Sequence, residues 1–143
     1  MAIANLQETL LMYTMRRNRL NVEIGELQSR KNLAVMNQAD VQSLLSAEKH
    51  SVRDYFKNLY ENDDELQALY KDYTEIPDFE EEIDKIVAQY QDQLDELTAW
   101  ETSIDAQITT DSAELEEVNA YMESMKQMLQ TNIQDDFNFG LEG

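Results

Sequence analysis

The sequence predicts an all-α protein, and within that class a long antiparallel helical hairpin of the coiled-coil type. Three observations carry the prediction. Glycine occurs three times and proline once in 143 residues, too few for a sandwich or barrel whose chain must turn every eight to twelve residues or so. Apolar residues make up 42% of the chain, enough to build an ordered core. Finally, apolar side chains recur at alternating steps of three and four residues over nearly the whole length, the signature of a coiled-coil seam.

The first helix is read from Ile3. The steps run through Leu6, Leu10, Tyr13, Leu20, Ile24, Leu27, Ala34, Val41 and Leu45, then Glu48, Val52, Tyr55 and Leu59, and end at Tyr73 and Ile76. Seventeen of the 22 positions so reached are apolar. A single unshifted seam implies one helix over about residues 2–74, on the order of 100 Å at 1.5 Å per residue. Gly25, the polar run Asn37 to Asp40 and the stretch 60–65 are the places where it could instead break, giving a shorter three-helix bundle. A lone glycine costs only about 1 kcal/mol inside a helix, and the seam passes through Gly25 without a change of phase, so the continuous helix is expected.

The only proline, Pro77, marks the turn. Proline fits the first turn of a helix and pushes the residue before it out of helical geometry, so Ile76 is the expected break. Asp78, Glu80, Glu81 and Glu82 follow, where the helix dipole favours negative charge. The seam then resumes in a new phase from Ile83 through Val87, Tyr90, Leu94 and Leu97 to Leu129 and Asn132, with 12 of 15 positions apolar. This places a second helix over about residues 78–135 and a C-terminal tail over 136–143. Two long amphipathic helices joined by a short connection return antiparallel. A turn at Ile76 pairs residue i with residue 155 − i, so that Asp135 lies near Leu20 and the first 19 residues overhang without a partner.

One domain is expected over residues 1–143, in which 1–47 form an assembly segment and 60–82 an acidic tip. Opposite the seam, helix 1 carries Leu11, Met12, Met15, Val22, Leu33 and Met36, and a helix apolar on two faces is covered by two neighbours. Helix 2 carries Ala99, Ala106, Ala113 and Ala120 at heptad spacing, flanked by Ile86, Trp100, Tyr121 and Met128. Small residues permit close helix approach, and aromatics with methionine are favoured in interface cores; on an isolated helix the same alanines would simply be good helix formers. The expected assembly interface is therefore Leu10, Leu11, Met12, Met15, Val22, Met36, Trp100, Tyr121 and Met128.

Net charge is −19, unevenly distributed. Residues 1–50 hold six bases and five acids, a net of +1, leaving five bases and 25 acids, a net of −20, on residues 51–143. Such a field repels nucleic acid and anionic lipid and suits solvation or a basic protein partner. The group Arg16, Arg17 and Arg19 lacks the aromatic platform of an RNA site. No apolar run reaches the roughly 18 residues of a membrane span, and the N-terminus shows no cleaved-signal pattern.

Catalytic vocabulary is sparse. Cysteine is absent and His50 is the only histidine, which removes thiol chemistry, zinc knots and the paired Glu-x-x-His motifs of di-iron bundles. Glu61 to Glu65 is rich in acids but lacks the glycine and spaced twelfth-position acid of a calcium loop. Phosphate loops, nucleophile elbows and dinucleotide fingerprints are missing too. A non-enzymatic protein without cofactor or metal is expected.

A cysteine-free chain with one long helix, the turn Glu75-Ile76-Pro77-Asp78-Phe79 and a second long helix ending in the stretch Tyr121 to Ile133 is similar in layout to the helical-hairpin subunits of type III secretion needles and filaments, and to the terminal helices of flagellins. The resemblance implies a subunit that lines the wall of a hollow helical tube and leaves the cell unfolded without signal cleavage, favouring an extracellular or cell-surface location over a cytoplasmic one. The extended acidity departs from that pattern. Two functions follow as expectations: a self-assembling filament or bundle subunit, or a coiled-coil stalk or escort, resembling in layout the hairpin stalks of flagellar export, whose acidic half receives a basic protein.

Overall fold

Nothing in the first 61 residues compels the backbone to leave helical geometry: no proline occurs there, and no described residue, glycine included, has a positive φ. In the computed structural model, which describes residues 2–142, helix α1 accordingly runs unbroken from Ile3 to Glu61. It passes through Gly25 and through Asn37 to Asp40. A short helix α2 (Asp64–Leu69), a 3-10 turn (Tyr73–Glu75) and a second long helix α3 (Pro77–Glu142) complete the described chain, which contains no strand. The fold is all-α, and the two long helices are in contact.

Helix α1 ends at Glu61, not near residue 74 as expected. The physical reason lies in Asn62 and Asp63. The Asn62 side-chain amide donates to the Asn58 carbonyl at 2.9 Å, and the Asp63 carboxylate, on extended backbone, accepts from the Glu65 and Leu66 amides. Asp63 thereby starts a new helix, and a capping aspartate of this kind stabilises it by about 1 kcal/mol. Gln67 then reaches back and donates to the carbonyls of Tyr60 (2.9 Å) and Glu61 (3.1 Å), partners that the end of a helix otherwise lacks. Asp72 caps the 3-10 turn.

Pro77 opens the second long helix as expected, whereas Ile76, expected to be the break that ends the first, instead closes the 3-10 turn. Ile76 is extended (φ −65°, ψ 123°) and buried, Pro77 is the first residue of α3, and Asp78 and Glu80 occupy its first turn. At the other end α3 continues to Glu142, so most of the expected tail 136–143 is helical. Gly140 has no left-handed φ with which to terminate the helix.

The chain divides into two units. In the first, residues up to Arg30 join those from Ser103 onward. Its core is Leu20, Val118 and Met122, with Leu10, Tyr13 and Leu115 packed against it; Leu6 and Ile104 are also buried. Tyr13 stacks on Tyr121 with ring centroids 5.5 Å apart, and the Arg16 guanidinium bonds the Glu114 carboxylate. The expected overhang of the first 19 residues is therefore wrong. It assumed that helix 1 persists to the proline, whereas α1 stops at Glu61 and its N-terminal segment finds partners on α3.

The second unit is Lys31–Thr102. Gln38 donates to Glu101 at 2.9 Å, and the Tyr90 hydroxyl donates to Glu48 at 2.6 Å. Phe56 and Tyr73 each meet Phe79 edge to face, at 5.6 and 5.4 Å. Here the expected seam also needs correction. Burial follows Ile3 to Leu45 as foreseen, then moves to Lys49, Val52, Phe56 and Tyr60 instead of Glu48, Tyr55 and Leu59. Two extra four-residue steps, into Lys49 and into Tyr60, replace the strict alternation, and the more apolar ring of Phe56 enters the core while Tyr55 stays exposed. Tyr60 turns inward so that its hydroxyl lies 3.0 Å from the carbonyls of both Tyr70 and Lys71. On α3, by contrast, every expected seam position from Ile83 to Asn132 is buried or half-buried.

Candidate interaction surface

A helix that covers one neighbour buries one stripe; any further apolar stripe stays in water unless something else covers it. On α1 of the first unit, Leu11, Met12, Met15 and Val22 are 58–71% exposed, far more than side chains of this kind usually are. Leu33 and Met36, in the second unit, are exposed as well. Leu10 differs from its neighbours, since it packs against Leu20, Val118 and Met122. Beside the exposed face an open groove of about 560 Å³ is lined by Met12, Met15, Arg16, Arg19, Leu20, Glu23 and Glu114.

The expected residues of helix 2 fall on α3. Trp100 is partly exposed and borders a groove of about 490 Å³ with Asn37, Asp40, Val41, Gln93, Glu96 and Leu97. Tyr121 rests one ring face on Tyr13 and presents the rest to solvent. Met128 is exposed, as are Ala99, Ala106, Ala113 and Ala120. The structure thus brings Tyr121 against α1 and leaves Met12, Met15, Val22, Met36, Trp100 and Met128 on the outside.

Two polar features interrupt the seams, and sequence reasoning singled out neither. Tyr90 is buried and donates to the Glu48 carboxylate; that bond, the burial of the ring and the adjacent negative charge raise its pKa above the ordinary 10.0. Asp111 is the one buried charged residue among those described. Its Oδ1 accepts from Gln107 at 3.0 Å, while Oδ2 has no partner. A glutamate 42 residues along the chain from the tyrosine it bonds leaves no local trace in the sequence, whereas an aspartate at a seam position is visible as a break in the apolar pattern.

His50 is exposed and lies 3.4 Å from Asp54, one turn along α1. No group of three or more His, Cys, Asp or Glu among the described residues is placed to hold a metal ion, and no described helix is long and apolar enough to cross a membrane. No protein-family model, curated protein or solved structure matches the chain.

Proposed function

We propose that this chain is a structural protein without enzymatic activity: an antiparallel helical hairpin of coiled-coil type that self-assembles into a filament or bundle. The observation that carries this reading is the exposed apolar face of α1, formed by Leu11, Met12, Met15 and Val22, in a stretch whose net charge is close to zero. Exposed apolar surface rimmed by charge marks an interaction site, and repeated contacts that do not close on themselves generate filaments. The partly exposed Trp100, Tyr121 and Met128 on α3 supply further surface of interface composition. The resemblance of this layout to that of secretion-needle subunits is in keeping with an exported assembly.

The test is light scattering with negative-stain microscopy on the purified chain, at high concentration and mildly acidic pH, where carboxylate repulsion is reduced. Large particles or filaments are expected. A monomer under every condition would sink the reading.

A second reading, a stalk or escort that receives a basic protein, is favoured by one observation. The groove at Trp100 is flanked by Asp40 and Glu96, groups suited to a lysine or arginine over an indole. Binding of this kind weakens steeply with salt. A partner retained equally at low and high salt would count against it.

A further inference from the structure

The exposed face of α1 in the first unit contains a narrower stripe that carries no charge. Steps of four and three from Leu11 pass through Leu11, Met15, Asn18, Val22, Gly25 and Ser29, all of them exposed. Every charged residue of the same stretch, from Arg16 to Arg30, falls outside it. Uncharged residues at heptad spacing are what a helix presents to another helix.

Gly25 points in the same direction. Glycine weakens a helix interior, yet this one has no positive φ and lies 22 residues beyond the start of α1. A Cβ added to it would meet nothing within 4 Å. Neither its own backbone nor the packing of its own chain therefore requires a glycine. A side chain missing from within an exposed, uncharged stripe leaves a notch into which another helix can set a side chain.

Resting on the reading of the chain as self-assembling, we propose that this stripe pairs antiparallel with the same stripe of a second copy, Val22 of each copy seated over Gly25 of the other. The sequence is complementary to itself in this arrangement. With Val22 opposite Gly25, Asn18 comes opposite Ser29, and the amide of one can donate to the hydroxyl of the other. Such polar layers fix register in coiled coils. On the flank, Arg19 of one copy lies beside Glu26 of the other, twice by symmetry. The opposite, parallel arrangement sets Arg16, Arg17 and Arg19 of the two copies side by side. An isologous contact of this kind closes a dimer, and a filament then needs a second face, for which the exposed residues of α3 are available.

The chain has no cysteine, so introduced thiols report without background. Val22→Cys and Gly25→Cys variants, mixed and oxidised, are expected to cross-link mainly one variant to the other; cross-links mainly between like variants would overturn the antiparallel pairing. Gly25→Leu fills the notch. In sedimentation experiments it is expected to weaken dimerisation by about tenfold or more through overpacking, while raising the melting temperature of the dilute monomer, because leucine is the better helix former. Arg19→Glu should weaken dimerisation and the Arg19→Glu/Glu26→Arg double variant restore it. Association that ignores all of these substitutions would overturn this pairing while leaving self-assembly through another face intact. A chain that stays monomeric at every concentration would overturn both.

Discussion

Asp111 occupies a position that the heptad pattern reserves for an apolar side chain, between Ile108 and Leu115. Its unpartnered Oδ2 is cut off from water, and a buried polar group left without a partner costs about 1–3 kcal/mol. Asp111→Leu is therefore expected to stabilise the fold by an amount of that order, read as a higher midpoint in urea denaturation. Tyr90 makes the opposite case, a polar group satisfied inside the seam. Its raised pKa means that the neutral phenol is favoured in the folded state. Its contribution to stability is present below the unfolded phenol's pKa and is lost as pH climbs through the higher folded value. Ultraviolet titration of the native protein should show a phenol ionising above pH 10.0 that Tyr90→Phe removes. At this scale the sequence was half legible: the exposed Leu11, Met12, Met15 and Val22 follow from periodicity alone, because position on a helix decides which side a residue faces. The Glu48–Tyr90 bond depends on which residues of two helices come level, and no local pattern encodes that.

At the scale of the elements, the two long helices differ in how faithfully they follow their heptads. On α3 the seam read from the sequence is the seam observed: every position of its phase from Ile83 to Asn132 is buried or half-buried, although Ile86, Tyr121 and Met128 stand directly beside seam residues. On α1 the pairs Tyr55/Phe56 and Leu59/Tyr60 offer two phases of nearly equal hydrophobicity. The choice falls to the neighbours: Phe56 meets Phe79, and Tyr60 has carbonyls to bond. A four-residue insertion into the heptad rhythm of this sort locally unwinds a coiled coil. Phe56→Ala should therefore destabilise the protein by about 3–5 kcal/mol, and Tyr55→Ala by less than about 1 kcal/mol, as expected for an exposed side chain. Equal effects in thermal unfolding would restore the unshifted seam. The early end of α1 was legible only as a weak point, because Asn62 and Asp63 are as compatible with an exposed helix surface as with a cap until Gln67 is seen closing the helix end.

For the whole molecule the decisive quantity is charge. Residues 51–143 carry a net of −20, so any assembly of copies works against repulsion that salt screens within about 8 Å at physiological ionic strength. Association measured by sedimentation is expected to strengthen as salt rises from a few millimolar to about 0.15 M, the reverse of the trend expected for capture of a basic partner. The all-α class was written into the composition, and the existence of two long helices into their periods; the partner of each segment was not, because it depended on where α1 stops. That stopping point has a further consequence. Between Asn62 and Ile76 the chain is held by side chains as well as by peptide bonds: Gln67 grips the last carbonyls of α1, Tyr60 reaches the carbonyls of Tyr70 and Lys71, and Phe79 of α3 touches both Phe56 and Tyr73. The connector acts as a clasp, so a single protease cut after the exposed Lys71 should leave two fragments that co-purify, and the same bond offers new chain ends for a circularly permuted protein.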